Sequence, residues 1–128
     1  MVTNCGQNPE SMVDHLEGYW QISTVKKDGK MVKEFTINTN IDYFKVQEDL
    51  SGFRKKVSPT LDGKFTVSQH QTPFLLKIVD GSLQIHYSDK GVNYFETIIK
   101  ADPETLVIKN DAGFIYTYNP FKSLDLNL

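Results

Sequence analysis

The residues in this chain that could do chemistry are few and scattered. They are three histidines (His15, His70 and His86), a lone cysteine (Cys5), a lone arginine (Arg54), and one carboxylate set among aromatic residues, Glu96. A zinc site needs ligands tied together by short spacing. His15 lies by a helical segment, His70 by a turn and His86 in a strand, so the three read as separate solvent-facing side chains and no metal is expected. Cys5 stands too near the terminus to be a preorganised nucleophile, and no serine occupies a Gly-x-Ser-x-Gly elbow. No glycine-rich loop precedes a helix in the manner of a phosphate cradle, and Gly91 and Gly113 belong to turns. Glu96 reads as an outward surface carboxylate; turned inward, it would have its pKa raised by desolvation. The chain is therefore read as non-enzymatic and free of cofactors. A small barrel isomerase or hydrolase is the alternative, and it would need Glu96 or a histidine to converge on a polar pocket.

The elements that must hold these residues are almost all strands. Residues 1–9 have little to bury and read as a disordered lead-in, with one β-barrel domain over 10–128. Pro9-Glu10-Ser11 suggests a turn, after which Met12, Val13 and Leu16 share one face of a short helix ending before Gly18. From Tyr19 the period becomes two. Lys27-Asp28-Gly29-Lys30 closes a first hairpin that returns through Val32 to Ile37. Strands follow around Ile41 to Gln47 and Gly52 to Val57, with Glu48 to Ser51 as a polar link and a turn at Leu61 to Lys64. The second half repeats short β-branched or aromatic segments: Phe65 to His70, Phe74 to Val79, Leu83 to Ser88, Tyr94 to Ala101, Leu106 to Lys109 and Phe114 to Tyr118. Gln71 to Pro73, Asp80-Gly81, Asp89 to Gly91, Asp102-Pro103 and Asn110 to Gly113 punctuate them with turn chemistry. No amphipathic helix interrupts that rhythm, which excludes a parallel β-α-β sheet. Short sequential hairpins favour an all-β, antiparallel up-and-down barrel of about 8 to 10 strands over a sandwich.

Alternation sorts the faces. Leu83, Ile85 and Tyr87 point inward, as do Phe65, Val67 and Gln69, and Phe114, Tyr116 and Tyr118 form an aromatic stripe. The Tyr94 to Ala101 strand is apolar on both sides: Phe95, Ile99 and Ala101 on one, Tyr94 and Ile98 with Glu96 on the other. That implies either cover from the N-terminal segment or a subunit contact.

Composition bounds the partners. Aromatic residues make up 12 % of the chain, while 14 Lys and Arg against 16 Asp and Glu give a formal net charge of -2. A phosphate-wrapping protein would carry a strong basic excess, so no nucleic acid is expected. No apolar run is long enough for a transmembrane helix, since Phe74 to Leu76 is broken by Lys77. The chain as written reads as cytoplasmic, as a monomer or a homodimer. Val2-Thr3-Asn4-Cys5-Gly6 also resembles the junction before a lipidated cysteine, so an exported lipoprotein anchored through Cys5 is the alternative.

Leu16-Glu17-Gly18-Tyr19-Trp20, a helical piece running into Gly-x-Trp at the start of the first strand, followed by an antiparallel meander, resembles the lipocalin and calycin group. The likeness is greatest to compact bacterial lipocalin-like domains. It implies that Gly18 permits close approach where helix becomes strand and that Trp20 packs across the closed end of the barrel. Classical lipocalins place an arginine near the end of the last strand; Phe114 to Phe121 has none, which moves the chain away from that subgroup. The resemblance implies binding of a small hydrophobic molecule or lipid in the barrel interior. A continuous cavity lined by Tyr43, Phe74, Tyr94, Phe114 and Tyr116 would serve it, with Arg54, Lys55 or Lys56 as partner for a ligand carboxylate. The same basic run also reads as a solvated edge-strand charge cluster. A structural or protein-interaction barrel with a filled core is the competing function.

Overall fold

In a computed structural model, the protein is described over residues 8–35, 41–59 and 65–121, with the backbone alone at 59 and 65–69. Helix α1 (Pro9–Leu16) starts because the Asn8 side chain accepts a hydrogen bond from the Glu10 amide at 2.8 Å, with Pro9 in the first turn. Pro9 to Ser11 is thus the first helical turn and not a free turn, and Asn8, read above as lead-in, is its cap. The helix stops at Glu17, which is extended, and at Gly18, whose φ of +138° favours glycine.

Nine strands follow among the described residues: β1 (Gly18–Lys27), β2 (Lys30–Glu34), β3 (Ile41–Val46), β4 (Ser51–Pro59), β5 (Phe65–Val79), β6 (Ser82–Asp89), β7 (Val92–Ala101), β8 (Leu106–Asn110) and β9 (Phe114–Pro120). They form one antiparallel sheet in the order β2-β1-β3-β4-β5-β6-β7-β8-β9, closed by β1 on β9. Eight strands make the barrel. β2 is a ninth that pairs the far half of β1, whose near half pairs β3. Closure removes the free edges of the eight barrel strands, whereas β2 pairs only β1 among the described residues. Three hairpins close through two-residue turns, Asp28-Gly29, Asp80-Gly81 and Lys90-Gly91, with positive φ at both central positions. That geometry matches strand twist and is the reason Asp-Gly marks such turns.

The core fills the helix end of the barrel. Met12 and Leu16 reach into a cluster with Trp20, Phe44, Phe74, Leu76, Leu83, Ile85, Ile98, Leu106 and Ile108. Helix α1 touches β3 on one side of the ring and β6 and β7 on the other, so it lies across the barrel end and not over the outer face of β7. Trp20 seals the same end, its Nε1 donating to the Leu16 carbonyl at 3.0 Å. Phe95 and Ile99 stay exposed on the outer face of β7, without cover from the helix.

Two local readings change. Gln71 to Pro73 is no turn; it lies within the continuous β5. Pro73 is tolerated because its missing N–H would face β6, and pairing with β6 begins only at Phe74. Ala101, placed by strict alternation beside Phe95, is fully buried, because a bulge between Ile98 and Lys100 shifts the face. The Leu83, Ile85 and Tyr87 face is inward, as alternation requires. The side chains of Phe65, Val67 and Gln69, the Leu61 to Lys64 turn and the stretch through Ile37 lie outside the described residues.

Candidate functional site

At the end of the barrel away from α1, the interior changes from apolar to charged. Arg54 projects inward from β4 and rests its guanidinium over the Phe44 ring, 4.8 Å from the centroid. β4 lies between β3 and β5, so the basic run is not on an edge strand. Arg54 Nη1 donates to the Tyr87 hydroxyl at 2.7 Å and to Glu96 Oε1 at 3.2 Å. Its Nη2 donates to Asp42 Oδ2 at 2.7 Å and to the Tyr118 hydroxyl at 3.0 Å. One side chain thereby ties β3, β6, β7 and β9 to β4.

The other members complete one another. Lys56 Nζ donates to Asp42 Oδ1 at 2.7 Å, and the Tyr87 hydroxyl donates to Glu96 Oε1 at 2.9 Å. The Asp42 and Glu96 side chains are only 5 % and 15 % exposed. Such a cluster is tolerable inside a barrel because each charge faces an opposite one and nearly every polar atom has a partner. Burial pushes the Asp42 carboxyl up, but Arg54 and Lys56 outweigh it and hold it below its usual value. Burial likewise acts to lower the Arg54 pKa, while Tyr87, Tyr118, Asp42 and Glu96 together hold the guanidinium charged. Burial raises both tyrosines, Tyr118 to about 12 and Tyr87 further, so neither ionises near neutral pH.

Above this floor lies a cleft of about 260 Å³, with Asp42, Arg54, Tyr87 and Glu96 beneath and Lys55, Lys56, His70, Thr72 and Tyr94 around it. Tyr94 stacks on Tyr87 at 4.9 Å and 24° and remains 45 % exposed. On the opposite wall β5 bulges against β4, where two steps of β4, Lys55 to Val57, face four of β5, Val67 to Gln71. The bulge brings His70 to the rim, 3.2 Å from Asp89.

The residues singled out by sequence are distributed unevenly. Arg54, Tyr94 and Glu96 meet at the cleft. Glu96 points inward, not outward, since it shares the face of Ile98 and is drawn to Arg54. Phe74 is buried in the core, edge-on to Tyr87. Tyr43 packs outside against Tyr19 and Phe53. Phe114 lies under the Lys27 ammonium, and Tyr116 accepts a hydrogen bond from Asn110. No continuous aromatic cavity joins these five rings among the described residues. His15, His70 and His86 sit on three separate elements, and among the described residues no His, Cys, Asp and Glu side chains group as metal ligands. No described helix is long and apolar enough to cross a membrane, and Cys5 lies outside the described residues.

Sequence reasoning passed over Asp42, Tyr87 and Tyr118 as site residues. A signal existed for the first: in Ile41-Asp42-Tyr43-Phe44, period two puts a carboxylate on the same face as Phe44.

A family model described as a lipocalin-like domain matches residues 16–108. Among solved structures, a lipocalin-like protein from Bacteroides uniformis matches 84 % of this chain and 99 % of its own, at 12 % identity and a TM-score of 0.49. No curated protein matches the chain.

Proposed function

This chain belongs to the lipocalin-like domain family, and we propose that it is a non-enzymatic binding protein that takes one small molecule in the cleft above Arg54. The carrying observation is the asymmetry of the barrel. Apolar side chains occupy the helix end, whereas the other end opens over a buried, tyrosine-lined polar floor. At about 260 Å³ the cleft falls just below the range that holds drug-sized ligands, so the ligand is small. A long acyl chain would find its way into the barrel blocked by Phe44, Phe74 and Ile85. The hydrophobic part of the ligand rests on Tyr94 and Tyr87, not in a deep apolar cavity. A binding role without catalysis fits Arg54, Asp42 and Glu96, whose polar atoms are largely committed to one another and not held ready for a reacting group.

Titration of ¹⁵N-labelled protein with small aromatic fragments tests this reading. Saturable shifts are expected at Arg54, Thr72, Tyr87, Tyr94 and Glu96. Shifts confined to other surfaces, or none at millimolar fragment, would overturn it.

A second reading, a protein-interaction barrel, draws on the outer face of β5 to β7. There Leu75, His86 and Phe95 lie side by side across three strands, with His86 stacked on Phe95 at 5.3 Å and Ile99 nearby. Sedimentation of the protein and of Phe95→Lys separates the two. A self-association abolished by that substitution would favour the interaction barrel.

A further inference from the structure

The bonding at the cleft floor restricts the chemistry of its ligand, an inference that rests on the reading that the cleft binds one. Two cations, Arg54 and Lys56, face two carboxylates, Asp42 and Glu96, so the floor is electrically balanced. Arg54 directs its terminal N–H groups to four acceptors. Asp42 uses one oxygen for Arg54 and the other for Lys56. Glu96 Oε1 takes both Arg54 and the Tyr87 hydroxyl. Glu96 Oε2 receives no hydrogen bond among the described residues and is within reach of solvent, on a side chain that lines the cleft.

An anionic ligand at Arg54 would have to displace Asp42 or Glu96, exchanging one carboxylate for another, and at Lys56 it would compete with Asp42; Lys55, the other lysine lining the cleft, holds its ammonium over the Phe53 ring. A cation approaching Glu96 would meet the Arg54 guanidinium 3.2 Å from the same carboxylate. An uncharged N–H or O–H donor meets neither obstacle and completes the open Glu96 oxygen with a charge-assisted hydrogen bond. The Tyr94 ring lines the same cleft, 45 % exposed and held in place by its stack on Tyr87. We propose that the cleft selects a small, planar, uncharged ligand that donates one hydrogen bond to Glu96 Oε2 while lying against Tyr94.

Four probes of similar ring size test this in ¹⁵N titrations of the full chain: indole, benzofuran, indole-3-acetate and tryptamine. Indole should shift the cleft resonances saturably and bind about tenfold tighter than benzofuran, which has no donor. The charged probes should bind no tighter than indole. Glu96→Gln should weaken indole about tenfold and leave benzofuran unchanged. Tyr94→Ala, which lies outside the Arg54 network and so spares the floor, should weaken both. Benzofuran equal to indole, or either charged probe binding more tightly, would overturn the ligand class while leaving the cleft a binding site. If none of the four shifts a cleft resonance, the binding reading fails as well.

Discussion

At the helix end of the barrel, Leu16, Leu83, Ile85, Leu106 and Ile108 are fully buried and interact only through packing. Beyond a boundary layer of Phe44 and Phe74, Asp42, Arg54, Tyr87, Glu96 and Tyr118 are held by directed hydrogen bonds. Apolar packing tolerates exchange among side chains of similar volume. A buried charge network does not, because removing one member leaves its partner desolvated and unpaired. The packed end therefore supplies stability, and the networked end holds its polar groups in one defined arrangement.

The sharpest way to break this contrast is to remove the boundary itself. Phe44→Ala deletes a fully buried ring that also supports Arg54, and it should lower stability by about 3–5 kcal/mol in urea denaturation. A loss below about 1 kcal/mol would show that the two halves are not packed on one layer.

Arg54→Met should be comparably severe at neutral pH, about 3–5 kcal/mol, since it leaves buried Asp42 with Lys56 alone and Glu96 with only the Tyr87 hydroxyl. The pH dependence sharpens the point. The folded pKa of Asp42 lies below its usual 3.8, so its contribution is fully present above 3.8 and lost as the pH falls through the lower folded value. Arg54→Met lacks that contribution. The difference in Tm between wild type and variant should therefore shrink on acidification below pH 3.8; a difference constant with pH would argue against an ionic origin.

Gly52→Ala probes close approach at the same boundary. Its Cβ would collide with the Lys45 carbonyl and come within 2.9 Å of the Phe74 ring, a backbone clash that needs strand movement. A loss of about 1–3 kcal/mol is expected in the same denaturation assay.

The smallest effect is Tyr118→Phe, which removes one hydroxyl bonded to Arg54 and should lower stability by about 1.5 kcal/mol. In the wild type, ultraviolet titration should show Tyr118 ionising near 12, well above exposed tyrosines. Ionisation near 10 would mean that the floor is wetter than its bonding implies.

Local chemistry carried much of the fold. Asp28-Gly29 and Asp80-Gly81 announce two-residue hairpins because those residue types accept positive φ, and the alternation of Leu83, Ile85 and Tyr87 assigns a face because a strand has period two. Alternation misplaced Ala101, since a bulge is set by the pairing partner and not by the strand that carries it, and turn chemistry divided β5 at Gln71 to Pro73, since Pro73 is admitted by a β6 pairing that begins only at Phe74. For the site, sequence alone could nominate Arg54, Tyr94 and Glu96 as residue types with chemistry, and it could place Trp20 at the helix-to-strand junction. It could not join them. Arg54, Tyr87, Glu96 and Tyr118 are separated by up to 64 positions, and only closure of β1 on β9 brings their strands around one axis. Whether an inward charge is paired, and which carboxylate oxygen is left open, depends on that convergence; strand period and turn chemistry act over a few residues and carry no information about it.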